Sequence, residues 1–282
     1  MPQITNHQSG NAVKALILGD SGSGKSGALA ALALDPKLAQ RLIVADFDNG
    51  LDILFHLLQA SPEAAARVFY ETFTDKFRSA GAGIIMPDGK VRAWTDAMSA
   101  LTEWKFPERE VNGVKWPAYD LGKNETWGPE TTLVIDSLNF ASWAAMRHVL
   151  ATNGRSGKAA FQSDWGEAQR LTEDLLALLY SDAVRCNVIV NTHVAFLTNE
   201  ADQSIKGLPM VIGKALSPKI GRYFNTVLQV RTKGQGNSAR RVIVTRSEGL
   251  VELKNPAPGK ILPEYPLETG LAEIFKVLLN KS

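Results

Sequence analysis

The strongest chemical signal in the chain is an eight-residue run near its start, Gly19-Asp20-Ser21-Gly22-Ser23-Gly24-Lys25-Ser26. It satisfies the pattern G-x-x-x-x-G-K-[ST] in full, and Gly27 follows directly. Glycines at these positions let a turn aim its backbone N–H groups inward around phosphate oxygens, with no side chains in the way. A helix opening at Lys25 would add its partial positive end to the same place. In such a turn the lysine reaches the β- and γ-phosphates, and the serine hydroxyl ligates magnesium. The chemistry expected of residues 19–27 is therefore the binding of ATP with Mg2+.

Three further groups could complete that chemistry. Thr132-Leu133-Val134-Ile135-Asp136 reads as an apolar strand lying next to the one that feeds the glycine turn, with Asp136 at its carboxyl end to hold magnesium. Its rival reading is a simple strand-capping aspartate. Asp46 and Asp48 close another apolar run and can face the phosphates, where a carboxylate orients the attacking water. The rival reading makes both of them turn residues ahead of Gly50. Asn191-Thr192-His193 ends a third run, beside Asp136, and offers polar groups to sense the γ-phosphate. A histidine in that place is also often structural.

Elements to position these residues are legible from apolar patterning. Ala12 to Leu18 is a buried strand, and Ser26 to Leu34 is a helix stopped by Asp35-Pro36. Strands are expected at 41–45, 68–73, 131–135 and 187–190, with helical spacing at 51–59, 141–150 and 167–180. That alternation implies right-handed crossovers and a mainly parallel sheet, an α/β fold. Beyond about residue 224 the pattern changes to two alternating runs, 227–232 and 241–246, that read as a β-hairpin, and 271–279 has one apolar helical face. The stretch 74–130 holds four of the six tryptophans, Trp94, Trp104, Trp116 and Trp127. It reads as an ordered insertion on the sheet's carboxyl edge, packed by those rings.

Charge is unevenly spread. Between Gln203 and Lys260 stand eleven Lys or Arg against only Glu248 and Glu252, while the remainder holds 20 basic and 27 acidic residues. A polyanion near the C-terminal third is one explanation. Solvated, aggregation-blocking edge residues are the other. Residues 1–11 lack the order of a signal peptide, and no long uninterrupted apolar run is present, so no membrane span is expected. The single Cys186 offers no internal disulfide, and a cytoplasmic location is expected.

Taken in order, a P-loop, a strand ending Asp46-Phe47-Asp48, a strand ending Ile135-Asp136-Ser137 and a strand ending Asn191-Thr192-His193 resemble the RecA-like P-loop ATPases. The resemblance is nearest to compact phage-encoded ATP-binding proteins, which include ATP-dependent single-strand annealing recombinases. It implies a RecA-like domain over 1–282, with 12–73 and 131–250 as core, 74–130 as insertion and 251–282 as C-terminal tail and helix. It also implies that Asp48 is the water-activating acid, which is usually a glutamate in the family. Asn191 and Thr192 would be the sensor pair, with His193 taking the role of the missing glutamine. Two DNA-binding loops would fall at 151–165, with Arg155, Lys158, Phe161 and Trp165, and at 197–214, with Lys206 and Lys214. Family members work as oligomers in which a neighbour's basic residue completes the site, and Lys233, Arg240 and Arg241 are the candidates here. The eleven residues ahead of the first strand are too few for the N-terminal domain that links subunits in the larger recombinases.

The function expected from all this is a Mg-dependent ATPase that binds single-stranded DNA in phage recombination, annealing or replication, acting in the host cytoplasm. A nucleotide-gated adaptor that does not hydrolyse ATP is a rival, favoured by the short Asp48. A small-molecule kinase is a third, and it lacks an arginine-rich lid near the P-loop.

Overall fold

The computed structural model describes residues 12–81, 85–111, 113–198 and 203–280. Eight strands form one sheet: β1 (Lys14–Leu18), β2 (Arg41–Asp46), β3 (Val68–Thr72), β4 (Thr131–Asp136), β5 (Asn187–Thr192), β6 (Thr226–Lys233), β7 (Arg240–Val244) and β8 (Glu264–Pro266). Their spatial order is β8-β7-β6-β1-β5-β4-β2-β3, parallel from β6 through β3 and antiparallel at β6–β7 and β7–β8. This is the mainly parallel, helix-flanked α/β sheet with a C-terminal β-hairpin that the sequence leads one to expect. The tail contributes β8, which extends the sheet beyond the hairpin.

The helices are α1 (Lys25–Ala28), α2 (Ala30–Leu34), α3 (Asp52–Leu58), α4 (Pro62–Ala65), α5 (Ala93–Thr102), α6 (Leu138–Thr152), α7 (Gln162–Tyr180) and α8 (Leu267–Leu278). A period of two along each strand sends alternate residues to opposite faces. Ala15 and Ile17 of β1 pack toward α1, α2, α3 and α8, whereas Leu16 and Leu18 pack toward α5, α6 and α7. Both faces are covered, so the central strands are continuous apolar runs, as a parallel sheet requires.

Two expectations need correcting. The strand ending in Asp136 does not adjoin β1, because β5 lies between them. Apolar content alone cannot order buried strands. The insertion also does more than sit on the carboxyl edge. Trp94, Trp104 and Trp127 are buried in the core that fills one face of the main sheet, with Leu16, Ile43 and Leu133. Arg109 pairs with Glu71 of the edge strand β3, and Tyr119 donates to the same carboxylate. Large aromatic rings bury the most area per side chain, so they supply the face that the parallel strands leave beside α6.

Candidate nucleotide site

The glycine turn joins β1 to α1 at the carboxyl end of the sheet. Two of its glycines are required by geometry. Gly24 has φ 105°, a left-handed conformation hostile to side chains. A Cβ on Gly19 would stand 2.6 Å from both the Val230 carbonyl oxygen and Ser23 Oγ. Lys25 is buried, and its Nζ donates to the carbonyls of Gly19 (2.8 Å) and Asp20 (2.9 Å), folding across the turn. Burial lowers its pKa, opposed by Asp136, Asp48 and Asp20. Ser23 Oγ is buried without a partner, while Asp20, Ser21 and Gly22 are exposed at the tip.

Opposite the turn, Ser26 Oγ donates to Asp136 Oδ2 at 2.6 Å. This contact joins the P-loop helix to β4 across the intervening strand. Burial raises the Asp136 carboxyl to about 6, with the Ser26 hydrogen bond and Lys25 pulling it down and Asp48 pushing it up. Asn191 is paired in register with Asp136. Its buried carboxamide lies near enough to lower that carboxyl slightly, yet it makes no hydrogen bond of regular geometry.

The two aspartates after β2 have different partners. Asp46 is the turn residue: its Oδ1 accepts the N–H groups of Asp48 (3.2 Å), Asn49 (2.9 Å) and Gly50 (3.4 Å), and Oδ2 accepts from Thr72 (3.0 Å). Burial first, then the charge of Asp48, raises Asp46 to about 7. Asp48 instead faces the site. Its Oδ1 is buried without a partner, and Oδ2 lies 3.4 Å from Ser137 Oγ. That hydroxyl has a nearer acceptor in Asn139 Oδ1 at 2.6 Å, which leaves the Asp48 carboxylate largely free. Ser137 follows Asp136 directly in sequence, yet its contact with Asp48 joins two separate strand ends.

At the end of β5, Thr192 Oγ1 donates to the Met210 carbonyl at 2.8 Å. His193 is half-buried, packs edge-on against Phe140 at 6.4 Å, and its pKa is lowered by burial and then by Lys25.

The outlying basic residues are mostly engaged elsewhere. Arg155 grips Asp164 and lies 4.6 Å from the Phe161 ring centre, so it caps α7 and is not a free loop cation. Phe161 is exposed, and Trp165 is half-buried against Trp143 at 6.1 Å. Much of the second expected loop is a hairpin, Val194–Thr198 with Ile205–Pro209, and residues 199–202 lie outside the described ones. Lys206 meets Glu252 at 3.2 Å, whereas Lys158 and Lys214 are exposed. Lys233 and Arg240 both pair with Glu264 of their own chain. Arg241 lies over its own P-loop, with Nη1 3.7 Å from where a Cβ of Gly24 would stand.

The residues present fit a magnesium nucleotide. Buried polar atoms without partners (Ser23 Oγ, Asp48 Oδ1 and the Asn191 amide) gather at the strand ends around Lys25 and Asp136. Among the described residues no cluster of three or more His, Cys, Asp or Glu could cage a metal. Magnesium is ordinarily held by one or two protein groups plus phosphates and water, which matches the Ser26 and Asp136 pair.

A family profile described as AAA domain matches residues 11–257. The chain belongs to this AAA-domain family. Curated proteins provide no match to this AAA-domain chain. Solved structures similar to it include a KaiC-like protein from Pyrococcus horikoshii OT3, at 11% identity and TM-score 0.40, covering 90% of this chain and 84% of that one. Flagellar accessory protein FlaH from Methanocaldococcus jannaschii is similar at 10% identity and TM-score 0.38, covering 92% and 88%. An ATPase from the type III secretion system of pathogenic bacteria is similar at 16% identity and TM-score 0.42, and there this chain covers 78% of itself but only 52% of the other. No helix among the described residues is long and apolar enough to cross a membrane.

Proposed function

We propose that this AAA-domain chain is a magnesium-dependent ATPase that binds single-stranded DNA in phage recombination, annealing or replication. The observation that carries the ATPase reading is the convergence of Lys25, the Ser26–Asp136 contact at 2.6 Å and the Asp48 carboxylate, whose Oδ1 has no partner, at one end of the sheet. The backbone amides of residues 22–26, with Lys25, would hold the polyphosphate, and Ser26 and Asp136 would hold magnesium. When bound, that ion neutralises developing charge on the phosphates. Asp48 accepts the proton of a water it orients, His193 and Asn191 donate hydrogen bonds toward the γ-phosphate end, and Lys25 leaves the carbonyls of Gly19 and Asp20 to do so as well. The chain would act as an oligomer in the host cytoplasm. Because Lys233 and Arg240 are held by Glu264, Arg241 is the hairpin residue best placed to move between sites.

A second reading has one observation in its favour. An aspartate reaches less far than a glutamate, so Asp48 also suits a nucleotide-gated adaptor that binds without turnover. Phosphate release from ATP, with and without a single-stranded oligonucleotide and at two salt concentrations, separates the readings. Turnover stimulated by the oligonucleotide and weakened by salt is the expected result. Binding with no turnover under any condition selects the adaptor.

A further inference from the structure

The exposed face of α6 carries an aromatic row that neither the nucleotide site nor the two expected loops uses. Phe140, Trp143 and Arg147 follow at i, i+3 and i+7, one above another on a helix. Phe140 is 38% exposed and Trp143 43%. Trp165 stands edge-on to Trp143 on one side. On the other, Phe77 of the insertion is 46% exposed, with the Arg147 guanidinium 5.3 Å from its ring centre. The row begins four residues after Asp136, where Phe140 touches His193.

The insertion builds a basic rim beside this row. Asp75 is the knot: it accepts the N–H groups of Arg92 (2.8 Å) and Ala93 (3.0 Å) and meets Arg147 Nε at 3.2 Å. That carboxylate is buried and spent on these partners. Around it, a cavity of about 230 Å³ is lined by Lys76, Lys90 and Arg92, all exposed, with Asp75 itself, Asp88 and Asp96 as the opposing acids. Asp88 lies 3.8 Å from Arg78, which offsets one of them.

We infer that this row and its rim form a stacking platform for single-stranded nucleic acid, in which Trp143 and Phe77 take base faces and the insertion's lysines and arginines follow the phosphates. Base–aromatic stacking tolerates any sequence, and basic residues along a track supply the salt-sensitive part. With Arg78 and Arg147 the rim holds five cations against Asp75, Asp88 and Asp96, and this excess favours a polyanion over an apolar protein helix. The inference rests on the DNA-binding reading above but assigns the binding to a helix face and an inserted hairpin instead of the two loops.

The test is the anisotropy of a labelled oligodeoxythymidylate titrated with the full chain at low and moderate salt. Trp143→Leu and Phe77→Leu, each checked by thermal melting, are expected to weaken binding about tenfold or more. Trp143→Phe is expected to restore most of it, and wild-type tryptophan emission should be quenched as the oligonucleotide binds. Wild-type binding that neither leucine variant alters overturns this platform while leaving DNA binding intact. Failure of the wild type to bind at either salt concentration overturns both. Unchanged oligonucleotide affinity in a leucine variant that no longer self-associates by light scattering assigns the face to a second copy and also overturns it.

Discussion

Two turns leave the sheet at the same end, and they treat their amides in opposite ways. The turn after β2 spends them at home: the Asp46 carboxylate collects three successive N–H groups and a threonine hydroxyl. The turn after β1 has no carboxylate acceptor of this kind, and its one internal backbone bond runs from the Ser23 N–H to the Asp20 carbonyl at 3.2 Å. Its side-chain carboxylate, Asp20, sits exposed at the tip, and a left-handed Gly24 opens the loop around Lys25. A turn whose donors are already satisfied becomes a rigid post that aims Asp48. A turn that keeps N–H groups for a ligand is an anion receptor. Two turns that each carry Asp and Gly thus yield a scaffold in one place and a binding site in the other.

The comparison breaks most visibly at the receptor turn. Lys25→Ala is expected to remove nucleotide binding, costing on the order of 100-fold or more in affinity. Calorimetric titration with Mg·ATP checks this, and an undiminished heat would refute the receptor assignment. At the post, Asp48→Asn should leave Mg·ATP affinity within a few-fold while turnover falls about 100- to 10,000-fold. Equal turnover in the variant would remove Asp48 as the water-orienting group.

Smaller effects sharpen the contrast. Gly24→Ala forces a side chain to φ 105° and brings its Cβ within 2.5 Å of Leu267 Cδ2. A loss of roughly 1–3 kcal/mol is expected by denaturant unfolding. Adding Leu267→Ala relieves the contact but not the backbone conformation, so full recovery in the double variant would contradict the strain. Last comes pH. An unfolded aspartate ionises near its ordinary value of about 4, whereas Asp46 in the fold keeps its proton up to about 7. Between those values the unfolded chain ionises first, so the native state loses stability as pH rises and bears the whole cost above about 7. Asp46→Asn keeps an oxygen acceptor for the three amides and has no proton to lose. Its stability relative to wild type is therefore expected to rise between about pH 4 and 7, read from urea midpoints. A constant difference across that range would mean that Asp46 is ionised in the fold.

Motif residues separate cleanly into those readable from local sequence and those that are not. Residues 19–27 and the flanking strand and helix were legible because the phosphate turn is a local conformation, dictated by glycines within one short segment. Asp46 and Asp48 were indistinguishable in the string, since both follow the same apolar run. Their roles diverge through Thr72 and Ser137, which come from other strands. Nor does the string show that Thr192 Oγ1 bonds the remote Met210 carbonyl. The row on α6 went unread because its neighbours, Phe77 and Trp165, are far from it in sequence.

By itself the sequence determined a phosphate-binding turn, a mainly parallel α/β sheet and the set of polar residues at its strand ends. Those follow from backbone preference and apolar period, which act over a few residues at a time. Only the tertiary structure decided that β5 lies between β1 and β4, that Ser26 nonetheless reaches Asp136, and that three tryptophans of the insertion close the core. Strand order and side-chain pairing depend on which buried surfaces meet across the whole chain, and local patterning carries no record of that choice.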